Sequence, residues 1–167
     1  MNRTAKLIIR KLKLKKHIEG GYFSETYRSK DCLGKSNLPA RYKGKRNLST
    51  AIYFLLCGNE LSAVHRLKTD EIWHYYSGSP LKLYAYKKDK VKIIKLGSNI
   101  SRGEIFQALV PAGTWLSAEV STKNSYTLVG CTLSPGFDFA DFELGKKKNL
   151  IKLFPKHISL IERMTIK

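Results

Sequence analysis

A chain of 167 residues with 43% hydrophobic side chains is long enough to enclose its own core, and it reads as one domain over residues 1–167. No apolar run approaches the roughly 18–20 residues that cross a bilayer, and the three cysteines, Cys32, Cys57 and Cys131, are odd in number without metal-type spacing, which argues against a disulfide framework and for reduced thiols in a cytoplasmic setting. The net charge of +18, from 31 Lys and Arg against 13 Asp and Glu, favours an anionic contact, yet the excess is mostly lysine in short clusters and no recognition motif accompanies it, so neither specific nucleic-acid binding nor membrane binding is expected.

Leu7, Ile8 and Leu12 recur at near-helical spacing among lysines and arginines, which predicts a helix over 2–16 docked on the body. Gly20-Gly21 ends it, and Tyr22 to Arg28 reads as a strand with Ser24 and Thr26 on its polar face. The basic stretch 30–47, with Gly34, Pro39 and Gly44, reads as a loop and as a flap over a pocket. Thr50 to Cys57 is a dense run of β-formers turned by Gly58-Asn59. Leu61 to Leu67 returns, and Glu71 to Tyr76 follows a turn at Thr69-Asp70 that Asp70 caps. After the turn signal Ser77-Gly78-Ser79-Pro80, Leu81 to Tyr86 and Val91 to Leu96 pair through Lys88-Asp89. Glu104 to Val110 ends at Pro111-Ala112-Gly113, and Thr114 to Val120, Tyr126 to Leu133 and Phe137 to Phe142 complete the strands. Lys148 to Phe154 and Ile158 to Met164 read as two short helices split by Pro155. Short strands with turn signals between them predict an all-β barrel or sandwich with a helical lead and a short helical tail.

Chemistry concentrates between His65 and Tyr76. Successive side chains of a strand face opposite ways, so Glu71, Trp73 and Tyr75 share one face, while Ile72, His74 and Tyr76 share the other. If the Trp73 face points inward, Glu71 is buried with it, and a buried carboxylate needs a partner, for which His65 is the candidate. Such a pair suits binding a cation, positioning a hydroxyl or moving a proton. Tyr53, Gln107 and Trp115 lie on strands that would line the same bowl and are taken as ligand-binding, with Tyr53 also the second catalytic group beside His65. His74 belongs to an interface or surface network, Glu25 and Arg28 pair near the mouth, and His17 and His157 read as surface.

The spacing of His65, Glu71 and Gly78 resembles the first motif of the cupin superfamily, with Leu67 where a second histidine is usual. Pro111-Ala112-Gly113 resembles the second motif, with Leu116 where its histidine is usual. Longer blocks, namely Glu19 to Ser29, His65 to Pro80, Val110 to Trp115, Tyr126 to Cys131 and Pro135 to Leu144, are similar to one group within it, the DUF985 or cupin 5 family, in which a glutamine is usual at the position of Leu116. The resemblance implies a double-stranded β-helix, or jelly roll, that forms a homodimer. With only His65 and Glu71 of the usual ligand set in place, no metal or other cofactor is expected. The expected function is binding of a small polar metabolite, sugar-like or sugar-nucleotide-like, with phosphate on it suiting the basic surface. Epimerase- or isomerase-like acid–base chemistry by His65 and Tyr53 would go with it. The rival expectations are a metal-dependent cupin enzyme and a non-catalytic anion or nucleic-acid module.

Overall fold

The computed structural model describes residues 3–88 and 90–166, so Asn2 of the expected first helix and Asp89 of the expected turn lie outside the described residues. The chain opens with α1 (Arg3–Lys11), which stops short of the expected end because Lys13 adopts a left-handed backbone with φ 53°. The strands that follow are β1 (Lys15–Lys16), β2 (Tyr22–Arg28), β3 (Cys32–Leu33), β4 (Arg46–Asn47), β5 (Thr50–Cys57), β6 (Leu61–Leu67) and β7 (Glu71–Gly78). Then come β8 (Leu81–Lys87), β9 (Lys90–Leu96), β10 (Gln107–Val110), β11 (Trp115–Val120), β12 (Tyr126–Leu133) and β13 (Phe142–Leu144). The helices α2 (Lys147–Leu153) and α3 (Ile158–Met164) close the chain, parted by a single 3-10 turn at Pro155–His157. Among the described residues no helix is long and apolar enough to cross a membrane.

Two antiparallel sheets face each other, one ordered β1-β2-β5-β12-β7-β10 and the other β13-β6-β11-β8-β9. The all-β jelly roll with its helical lead and tail is therefore the fold. Strand alternation divides the apolar residues into three layers. Phe54, Leu56, Trp73 and Val129 of the first sheet meet Leu81, Leu83, Leu116 and Ala118 of the second to form the central core. Residues of opposite parity face out: Leu55 and Cys57 pack beneath Ala5 and Leu14, while Tyr84, Tyr86 and Trp115 pack beneath Leu150, Phe154, Ile161 and Met164. Each sheet is thus greasy on both sides, and a helix covers each outer face.

Two regions depart from expectation. The stretch 30–47 is not a flap over the central hollow: it carries the β3–β4 ribbon and is pinned by Tyr42, whose hydroxyl meets Thr69 Oγ1 at 2.9 Å in the interior, and by the buried pair Arg46–Asp141. Phe137 to Phe142 is not a strand. Asp138 Oδ1 accepts the Ala140 backbone N–H at 2.8 Å and starts a 3-10 turn at Phe139–Asp141, and only Phe142 begins β13, paired with Leu67 of β6.

Candidate active site

Between the sheets, at the end where β2, β5, β6, β7 and β12 converge, lies a cavity of about 300 Å³. Parity delivers the first part of its lining. Glu71 and Trp73 point in from β7, Ile52 and Phe54 from β5, and Cys131 and Leu133 from β12. Irregular backbone delivers the rest. In β6 the pairing to β11 shifts register, His65 facing Leu116 but Ser62 facing Ala118, so one extra residue is accommodated and both Ser62 and His65 turn toward the interior. A second shift in β2, between Glu25 and Tyr27, puts Glu25 and Arg28 on the cavity side together. There Arg28 Nε and Nη2 donate to the two carboxylate oxygens of Glu25 at 2.8 and 2.7 Å, the pair expected at the mouth.

Two residues that the sequence does not mark as part of the site, His17 and Glu19, also line the cavity. They ride on a turn that only glycine permits. Gly20 and Gly21 have φ of 107° and 69°, and their Cα atoms lie against the carbonyls of Leu61 and Leu55, where a Cβ would collide. The turn is latched when Ala63 N–H donates to Glu19 O at 2.8 Å. The visible signal was the Glu-Gly-Gly triplet itself: paired glycines after a carboxylate mark a tight backbone approach. His17 is therefore not the surface histidine expected. His157 is also only partly exposed, with an Nε2 that is buried.

The floor is a connected set of ionisable groups. His65 is 2% exposed, Glu19 6% and Glu71 7%. His65 Nδ1 lies 2.8 Å from Ala63 O. A carbonyl only accepts, so Nδ1 carries a proton, and in the neutral ring Nε2 holds the lone pair. That nitrogen lies 3.4 Å from Glu19 Oε2, which is also 3.5 Å from His17 Nδ1, so one carboxyl oxygen stands between two imidazoles. Ser62 Oγ donates to Glu19 Oε1 at 2.9 Å, and Trp73 Nε1 donates to Glu71 Oε2 at 2.7 Å. Burial pushes both carboxyls up to about 7; the nearby histidines and the hydrogen bonds from Ser62 and Trp73 oppose the rise, and Glu19 adds to it at Glu71. Burial lowers both imidazoles, against the pull of Glu19 on His17 and of Glu71 on His65. It also pushes the Cys131 thiol well up, with Glu71 and Glu19 adding to the rise, so Cys131 is no nucleophile near neutral pH.

Of the residues picked from sequence, the structure gathers His65, Glu71 and Trp73 in the cavity and takes the other three elsewhere. Tyr53 sits between the inward Ile52 and Phe54, so it faces out, packing beside α1 with its ring 5.8 Å from that of Tyr76. Trp115 faces out for the same reason, because its neighbour Leu116 fills the core. It packs under α2 and α3 with the Arg66 guanidinium 4.6 Å from its ring centroid. Gln107 is exposed on the edge strand β10 opposite His74, and its Nε2 donates to His74 Nδ1 at 3.0 Å, so its polar end is satisfied outside the barrel. His74 Nε2 lies 3.1 Å from Thr132 Oγ1, which puts it in a surface network. Asp70 accepts the Ala112 backbone N–H at 2.7 Å, tying two turns together rather than capping its own.

The residues present do not suit a metal. Leu67 lines the cavity and Leu116 is buried in the core at the two positions where the resemblance implies ligands. Among the described residues no three His, Cys, Asp or Glu side chains are grouped so as to hold a metal ion.

The whole chain is similar to known proteins. It is 33% identical to SO0799 of Shewanella oneidensis, with a TM-score of 0.87 over 99% of this chain and 98% of that one. It is 33% identical to a hypothetical protein of Leishmania major, with the same TM-score over 98% and 99%. Its similarity to the uncharacterized protein YML079W of Saccharomyces cerevisiae is 29% identity over 154 residues, which is 87% of this chain and 77% of the yeast protein. A family model described as "Cupin superfamily (DUF985)" matches residues 6–145, a span that holds the register shifts of β2 and β6, the Gly20-Gly21 turn and every residue of the floor, and on that match the chain belongs to the DUF985 family of cupins.

Proposed function

We propose that this cupin binds a small organic molecule in the cavity and that His65, with Glu71 and Glu19, transfers a proton to or from it. The observation that carries the reading is the locked tautomer of His65: with Nδ1–H held by Ala63 O, Nε2 is the basic atom and faces a buried carboxyl at 3.4 Å. A general base or acid works best when its proton affinity lies near the working pH, and burial holds both floor carboxyls at about 7. An isomerase or epimerase needs two such groups around one carbon. Here the second is a carboxyl, Glu19 or Glu71, since Tyr53 faces away from the cavity.

The test is what the protein retains through native purification, read by mass spectrometry after denaturation. His65→Ala and Glu71→Gln are expected to lose the retained compound. Tyr53→Phe and Gln107→Ala, both outside the cavity, are expected to keep it. Retention unchanged in His65→Ala and Glu71→Gln would place the site elsewhere.

A smaller effect is expected at the mouth. Asp138→Ala removes the cap of the 3-10 turn that carries Phe139 and should cost about 1 kcal/mol in urea denaturation, whereas Asp138→Asn should recover most of it.

A further inference from the structure

We infer that the occupant of this cavity is a small organic amine bound as its cation, with the ammonium group on the Glu19–Glu71 floor and a flat apolar body between the aromatic walls. This rests on the proposed small-molecule reading and narrows it.

The first ground is what the lining lacks. Among the described residues, Arg28 is the one Lys or Arg that lines the cavity. Its guanidinium is committed: Nε and Nη2 to Glu25, and Nη1 to Asn47 Oδ1 at 2.8 Å and Phe137 O at 3.1 Å. A phosphate or carboxylate entering would meet no uncommitted cation there, and it would approach two carboxyls. A cation reverses each of those terms.

The second ground is the wall. Phe54 and Trp73 meet edge to face at 5.9 Å and 82°, and Phe137 and Phe139 do so at 5.0 Å and 81°. Aromatic faces attract desolvated cations, and a cage of such rings over a carboxylate is the usual receptacle for an ammonium group. The +18 surface does not forbid entry, because exposed charges are screened beyond about 8–10 Å at physiological ionic strength. It does leave a signature: affinity for a cation should hold or rise with added salt, where affinity for an anion falls.

The experiment is calorimetric titration of the full chain with three ligands of one shape, benzylamine, benzyl alcohol and phenyl phosphate, at about pH 6 and about pH 8. Benzylamine stays protonated at both. The ionisable groups that face it are Glu19, Glu71, His17 and His65 on the floor, beside Cys131, with the charged side chains of Glu25, Arg28 and Asp138 at the mouth. The expected result is benzylamine binding about tenfold or more tighter than benzyl alcohol at pH 8, with a smaller margin at pH 6, where the floor carboxyls hold protons. Phenyl phosphate should be the weakest of the three. Glu71→Gln and Glu19→Gln should each shrink the margin while benzyl alcohol still binds, which also reports that the variant cavity is intact. Benzyl alcohol or phenyl phosphate binding as tightly as benzylamine at pH 8 would overturn the inference and leave the cavity a receptacle for another class. No binding of any of the three would overturn it as well, and the retained-compound experiment would then judge the broader reading on its own.

Discussion

Replacing Arg46 by alanine is expected to cost about 3–5 kcal/mol of folding free energy. Both Arg46 and Asp141 are buried. The guanidinium grips the carboxylate through two bonds, Nε to Oδ2 at 2.5 Å and Nη2 to Oδ1 at 2.8 Å, and spends Nη1 on Lys45 O at 2.8 Å. Without Arg46 the carboxylate is left in the interior with the Lys68 ammonium 3.6 Å from Oδ1 as its remaining ion-pair partner among the described residues. An unpaired buried charge is costlier than the pair is favourable, so Arg46→Ala with Asp141→Ala should cost clearly less than the two single changes added together. The pair also joins the 30–47 stretch to the turn that ends in Phe142, whose ring stacks on His65 at 5.5 Å. Loss of the pair should therefore weaken retention of the bound compound along with stability. Urea denaturation of the four members of the cycle decides the matter, and a cost below about 1 kcal/mol for Arg46→Ala would show that the contact is dispensable.

The contribution of Glu19 and Glu71 to stability should also fall as pH rises through the window from about 4.5 to about 7, and Glu71→Gln should remove part of that fall. In the unfolded chain each floor carboxyl releases its proton near the ordinary value of 4.5, while folding holds Glu19 and Glu71 protonated to about 7. Between those limits the folded state binds more protons, so the contribution is fully present below the lower limit and lost as pH passes the upper one. Its size is of the order of 3 kcal/mol for each carboxyl. The imidazoles run the other way. Burial holds His17 and His65 below 6.5, so they stabilise the fold above that value and withdraw the support as pH drops. A single substitution separates the two trends. The amide introduced by Glu71→Gln would still accept from Trp73 Nε1–H but would carry no charge, so the variant should gain on the parent protein as pH rises from about 4.5 to about 7. Equal pH profiles for parent and variant would mean that the Glu71 carboxyl is not held protonated.

Much of the frame could be read from local pattern. Tyr22–Arg28, Thr50–Cys57, Leu61–Leu67, Tyr126–Leu133 and the helix Ile158–Met164 lie where the sequence predicts them. Their residue types and turn signals act within a few positions of chain, as strand alternation also does for Glu71 and Trp73. The same rule misled at Tyr53 and Trp115. The run Ala-Ile-Tyr-Phe-Leu-Leu is apolar on both faces because α1 covers the outside of its sheet, so nothing local says which parity is interior. Phe137 to Phe142 failed for a different reason: Asp138 offers the backbone an acceptor that competes with strand pairing.

From the sequence alone followed an all-β barrel or sandwich with helical ends, which the family resemblance narrows to a jelly roll, and the inward turn of Glu71 with Trp73, because alternation and turn chemistry are properties of neighbouring residues. The expected partnership of Glu71 with His65 did not follow, for Glu71 accepts from Trp73 and His65 faces Glu19. Only the tertiary structure decided the membership of the floor. Glu19 reaches His65 across the fold because two glycines let one backbone press against another, and Ser62 joins them because a strand takes in one residue too many. Convergence of that kind is set by register between distant segments, on which the periodicity of any one segment is silent.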